Sequence, residues 1–294
     1  MALALLFAGC YRGDFLDQAC DRKGTCLTST SETGTSTGET EASTGDASTG
    51  EPAGVDVYRM TQIEVVDPHF FYELGECLDA SDVFNNAIAN EVAAGTIHVL
   101  LILDPADPSL AQVPMRIAEG ACVGAGFASC SYKDPTLYVP TIATNVTAST
   151  CDVQIPGTVN PIYAEDGTPN IAGPPCFTTQ RGAVVLPSLV PTLPPIVLYD
   201  AQLAAAYASP ERPIDGLVTG VLTGFVPESY ALQFMGDLEG LPFTLWEAIA
   251  GGGGCIKDPD APIDDTDPNP DPGSRERGVQ VYINFVAERV EWIE

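Results

Sequence analysis

The sequence predicts a mainly β chain: a disulfide-braced β-sandwich-like domain with a few short helices, placed behind a disordered N-terminal tether. Three observations predict it. Apolar or alternating runs of strand length recur from residue 56 to the C-terminus, between Gly, Pro and Asp punctuation. Nine cysteines are present and no two stand in a C-x-x-C relation, which favours bridges over a metal site. Residues 28–54 are almost entirely Thr, Ser, Gly and Glu, with Ser-Thr-Gly at 36–38, 43–45 and 48–50. Such a composition has nothing to bury and is read as a flexible linker spanning about 30 Å.

In chain order, Leu3, Leu5, Leu6 and Phe7 form a short apolar run, followed by the small pair Ala8-Gly9 and then Cys10. Leu6-Phe7-Ala8-Gly9-Cys10 resembles the lipobox of bacterial lipoproteins, with Phe7 where that family prefers Leu. The resemblance implies a signal peptide over residues 1–9, lipidation of Cys10, and a mature chain beginning there. Met1-Ala2-Leu3-Ala4 carries no Lys or Arg, so the basic start of such a signal is expected upstream. Tyr11 follows the cysteine where Asp is the usual retention signal, so the resemblance implies export to the outer membrane. Residues 10–27 then form a lipidated N-terminus with a small cysteine loop, and residues 55–294 form the globular domain.

With Cys10 set aside, Cys20, Cys26, Cys77, Cys122, Cys130, Cys151, Cys176 and Cys255 suffice for four bridges in an oxidising compartment. Pairing neighbours gives Cys20–Cys26, Cys122–Cys130 and Cys151–Cys176, leaving Cys77 for Cys255. Forty acidic against twelve basic residues give a formal charge of −28. That charge excludes nucleic-acid partners and electrostatic attachment to anionic lipid, so the expected membrane contact is the anchor alone. No apolar run reaches the length of a transmembrane helix.

Within the domain, residues 56–66 alternate as a first strand. Ser81 is placed to cap a helix through about residue 93, with Val83, Phe84, Ala87, Ile88 and Val92 on its apolar side. Residues 96–103 read as a central buried strand that encloses His98 as a satisfied core imidazole. Residues 111–160 read as short strands, and Asn145-Val-Thr147 matches a glycosylation acceptor best read as a surface loop. Residues 157–175 read as loop. Pro187, Pro191, Pro194 and Pro195 confine residues 182–199 to one or two edge or interrupted strands.

Asp200 is placed to cap an Ala-rich helix over residues 201–208. Residues 216–226 read as a strand whose Gly220 and Gly224 share one flat face. Pro227 and Glu228 start a short helix, and Phe243, Trp246 and Ile249 recur at helical spacing over residues 242–250. Residues 279–286 form a last strand that continues into, or pairs with, residues 289–293.

Two stretches invite chemistry. Asp265, Asp267, Asn269, Asp271 and Glu276 offer hard oxygen ligands at EF-hand-like spacing, which makes calcium the candidate cofactor. Pro270 stands where an EF-hand has glycine, and the rival reading is a solvated acidic loop. No nucleophile, zinc or phosphate-loop motif is present, and only His69 and His98 are histidines. The expected function is therefore non-enzymatic: a lipid-anchored envelope or surface module that binds a partner or builds structure. Two alternatives remain, a carrier of an apolar ligand on the glycine face and a hydrolase working through carboxylates.

Overall fold

The computed structural model describes residues 54–73, 77–155, 168–189, 195–238, 241–249, 266–267 and 278–293. All of them belong to the second of two compact units, Glu51–Glu294. Cys10, the Cys20–Cys26 pair, Cys255 and the loop residues Asp265, Asn269, Asp271 and Glu276 lie outside the described residues.

The chain is mainly β. It begins with β1 (Asp56–Asp67), the small hairpin β2 (Phe71–Glu73) and β3 (Cys77–Asp79), and helix α1 (Ser81–Ala94). Strands β4 (Val99–Leu103), β5 (Gln112–Val123), β6 (Ser129–Tyr132) and β7 (Tyr138–Val146) follow, with a 3-10 turn, Ala125–Phe127, between β5 and β6. Next come β8 (Cys176–Thr179), β9 (Gly182–Leu186), β10 (Ile196–Tyr207) and β11 (Gly216–Pro227). Helix α2 (Glu228–Ala231), β12 (Met235–Leu238), β13 (Leu241–Thr244), α3 (Leu245–Ile249), β14 (Thr266–Asp267) and β15 (Gly278–Trp292) complete the order.

Eight strands close into an antiparallel barrel in the order β1-β4-β5-β7-β8-β10-β11-β15. Closure comes from β15, which pairs with β11 on one side and β1 on the other. This corrects the sandwich expectation: the eight strands belong to a single sheet, and joining β1 to β15 removes the two edges a sandwich would leave. Register shifts in β1, β10 and β11 supply the bends that closure needs.

Cross-strand partners share a face, so register identifies the interior. Tyr58 opposes Leu101, which opposes Ile117, and Leu203 opposes Leu222, which opposes Ile283. With Met115, Phe177 and Phe285 they are buried and fill the barrel. An eight-stranded barrel is just wide enough for such a packing. Gly220 and Gly224 do lie in a strand, and both are filled from within. A Cβ at Gly220 would lie 2.4 Å from two Phe285 ring carbons, and one at Gly224 would lie 2.7 Å from the Leu198 Cβ. The flat face offered to an apolar ligand is thus occupied by the barrel's own side chains.

Two outer faces are also covered. Cys151, Val153 and Ala172 pack over Ala204, Ala206, Val221 and Tyr282, where the Cys151–Cys176 disulfide ties the covering segment to β8. The Tyr282 hydroxyl accepts from the Ile155 N–H at 3.1 Å, and Asn284 Oδ1 accepts from the Asn170 N–H at 2.8 Å. On the other outer face, Val57, Leu100, Ile102 and Ala118 lie beneath β6, which Cys122–Cys130 joins to β5 at directly opposed positions.

Several local expectations are corrected. Residues 201–207 continue β10 instead of forming a helix, and Asp200 sits at a left-handed φ of 48° paired with Arg181 at 2.9 Å. Helix propensity lost because β10 is held between β8 and β11 and buried on both faces, where alanine fits. Pro242 and Phe243 belong to β13, and the helix starts only at Leu245. In α1, Ser81 does not cap, Val83 is exposed, and Ile88 and Val92 supply the buried contacts. Asn145 is in β7, not in a surface loop.

Candidate functional site

The His69 ring Nδ1 lies 2.6 Å from Asp79 Oδ2, while Asp79 Oδ1 accepts from the Ser81 hydroxyl at 2.7 Å. Burial works to raise the Asp79 carboxyl, but hydrogen bonds from His69 and Ser81 outweigh it and hold the group at about 2. The carboxylate sits between histidine and serine, whereas activating a serine requires the imidazole in the middle. Ser81 Oγ also accepts from the Phe70 N–H at 2.8 Å, so the cluster clamps the β2–β3 hairpin to the start of α1.

At one barrel end, buried Asp56 accepts from Arg289 at 2.7 Å and from Arg212 at 2.9 Å, and its Oδ2 also takes the Ala106 N–H. The Tyr58 hydroxyl donates to the Ile214 carbonyl at 3.1 Å, and burial raises both Tyr58 and Tyr207 above the usual phenol range. These groups are mutually satisfied and close the end. Around the other end, Phe84, Leu198, Leu245, Ile249 and Ile283 line an entirely apolar cavity of about 30 Å3. A cavity that size suits a water or two by volume, far short of a small-molecule site.

Asn145, expected from sequence in a surface loop, commits its amide to the protein. Its Nδ2 donates to the carbonyls of Asp107 and Leu110 at 2.8 and 2.7 Å, and its Oδ1 accepts from the Tyr207 hydroxyl at 2.8 Å. Among the described residues no three His, Cys, Asp or Glu side chains gather as metal ligands. Of the calcium candidates, only the backbone of Asp267 is described, in β14 opposite Gly278. No helix among the described residues is long and apolar enough to cross a membrane.

The most conspicuous surface is an aromatic patch assembled from four strands. Arg116 on β5, Tyr132 on β6, Tyr138 at the start of β7 and Trp292 at the end of β15 converge there. Tyr132 and Tyr138 stack with ring centroids 5.8 Å apart, and Trp292 meets Tyr132 edge-on at 4.8 Å. The Arg116 guanidinium lies 5.9 Å from the Tyr138 centroid and donates to the Tyr132 hydroxyl at 2.9 Å. Tyr138 is 38 % exposed, with exposed Leu137 beside it in the chain and exposed Ile293 next to Trp292. Lys133–Glu119 at 2.5 Å and Arg116–Asp104 at 3.8 Å add a charged rim.

The chain matches no known family, no characterised protein and no solved structure.

Behind the patch is a second feature. Arg59 and His98, 7 % and 6 % exposed, lie beneath the loop that Cys122–Cys130 closes. The Phe127 ring sits 5.0 Å from the His98 ring and 5.5 Å from the Arg59 Cζ. His98 is buried as the sequence suggests but not fully satisfied: one ring nitrogen bonds the Gly95 backbone, while Nδ1 has no hydrogen-bond partner. Burial, reinforced by the neighbouring Arg59 charge, lowers its pKa from the usual histidine value.

Neither feature was visible as a motif. The patch residues are scattered along the chain, and only β-pairing brings them together. Trp292 is half-buried, covering the outer cluster with one part and lining the patch with another.

Proposed function

We propose that this chain is an exported, lipid-anchored and non-enzymatic binding module, with the aromatic patch as its working surface. The observation that carries the reading is the convergence of Tyr132, Tyr138, Trp292 and Arg116 on one partly exposed face. Tyr, Trp and Arg are the residue types that dominate binding hot spots in protein interfaces. Their mutual contacts preorganise them, so little side-chain freedom is left to lose on association. The lipobox-like Leu6–Cys10 stretch supports the anchor, and the two disulfides among the described residues fit an oxidising compartment. The charge of −28 leaves cationic or neutral protein surfaces as the suitable partners.

Co-sedimentation with the producing bacterium's own envelope fraction tests this. Full-length chain carrying Cys10→Ser, which removes the anchor, is compared with the same chain carrying Tyr138→Ala and Arg116→Ala as well. Retention of the first and loss of the second is expected. Equal retention of both, or of neither, rejects the patch as the working surface.

A further inference from the structure

The loop between Cys122 and Cys130 is fastened to β15 at its β6 end and held more lightly at its tip. Phe127 adopts a left-handed φ of 59°, a conformation bulky side chains seldom take. Its ring packs over Gly95, itself at φ 74°, where any Cβ would overlap the ring. Arg59 Nη2 donates to the Gly126 carbonyl at 3.3 Å. Beyond the Glu291 N–H, which reaches the Ala128 carbonyl at 2.8 Å, residues 124–127 meet the barrel through one ring and one long hydrogen bond, and both converge on the Arg59–His98 pair.

We propose that His98 and Phe127 form an acid-released latch: a proton on His98 places a second buried cation beside Arg59 and frees the loop. Two observations besides proximity carry this. His98 Nδ1 and Arg59 Nε are both buried without a hydrogen-bond partner, so a proton added at Nδ1 meets no acceptor. The Phe127 ring already faces the Arg59 guanidinium at 5.5 Å, so its π-face is shared. An imidazolium there gains solvation only if Phe127 lifts and water enters.

The surrounding charges do not reverse the sign. Glu288 opposes Arg59 across the β1–β15 ladder, and Glu119, which favours the imidazolium, is spent on Lys133 at 2.5 Å. Because burial depresses the latched pKa, the open state takes up the proton more readily. The latch is therefore fully stable above about 6.5, the ordinary histidine value, and weakens as pH falls below it.

The loop runs into β6, which carries Tyr132, so release also loosens one side of the aromatic patch. That consequence rests on the binding reading of the patch; the latch itself does not.

Hydrogen exchange of the peptide spanning residues 123–129 in the full chain, corrected for intrinsic rates, reads the latch without any ligand. Protection should drop by up to about tenfold per pH unit between about pH 6.5 and the latched value. His98→Phe, and His98→Gln as a second non-titrating variant, should hold protection constant over that range. Phe127→Ala should be unprotected throughout. His69→Gln, which removes the only other histidine, should keep the transition. Protection that does not change with pH in the parent chain overturns the proposal. So does a transition that survives in both His98 variants, or one abolished by His69→Gln.

Discussion

The Phe285 ring lies directly on Gly220, its register partner across β11 and β15. The contact is inside the barrel, where Phe285 is fully buried and no neighbouring strand can move aside without breaking closure. Gly220→Ala should cost about 1–3 kcal/mol through overpacking, measured by urea unfolding. Phe285→Leu should also destabilise by itself, yet the double variant should lose less than the sum, since the smaller side chain vacates the space the new methyl needs. Strict additivity would show that the two residues are not in contact.

The Cys151–Cys176 bridge fastens the segment that covers Tyr282, Val221 and Ala204. Replacing both cysteines by alanine should lower stability by about 2–4 kcal/mol, as expected for a closed loop of a few tens of residues. Exchange should rise first around residues 151–155, because the cover then relies on the Ile155–Tyr282 and Asn170–Asn284 hydrogen bonds. An unchanged urea midpoint would mean the cover holds without its bridge.

How much of this was legible in the sequence depends on whether a feature is local or formed by pairing. The apolar run around Val99–Leu103 announced a fully buried strand, and the prolines of residues 182–199 announced the break between β9 and β10. Nothing local announced that β1 meets β15, so sandwich and barrel were indistinguishable before the register was known. The alanines of β10 misled because their reason is tertiary: Ala205 lies beside Phe177 and Ala206 opposite Cys176. One signal was present and missed. Thr244-Leu245-Trp246-Glu247 is a capping box: Glu247 Oε2 accepts from the Thr244 N–H at 2.7 Å, and Thr244 Oγ1 accepts from the Glu247 N–H at 3.1 Å. It starts α3 at Leu245 and leaves Pro242 and Phe243 to β13. Among the candidate site features, burial of His98 was legible, whereas its unpartnered nitrogen and the Arg59 and Phe127 contacts were not.

Asn145 should behave as a structural residue. Asn145→Ala strands the Asp107 and Leu110 carbonyls and the Tyr207 hydroxyl together, for an expected loss of about 1–3 kcal/mol. Tyr207→Phe removes only one of these bonds and should cost less. In the pair, the second change should add little, because the shared bond has already gone. A freely additive cycle from urea unfolding would contradict the observed hydrogen bond.

Asp79 sets a limit on acid stability at the β2–β3 hairpin. Burial raises its pKa, but the His69 and Ser81 hydrogen bonds bring it to about 2, below the unfolded carboxylate value near 3.9. A carboxyl depressed in the folded state contributes stability above its unfolded pKa and loses that contribution as pH falls through its folded pKa. The parent chain should therefore lose melting temperature between about pH 4 and pH 2 more steeply than Asp79→Asn, which cannot titrate there. At neutral pH the variant should already be the weaker of the two, since its amide cannot accept from His69 and Ser81 as a carboxylate does. Parallel melting curves for the two chains across that acid range would show that Asp79 titrates with an ordinary pKa and that the clamp contributes nothing to acid stability.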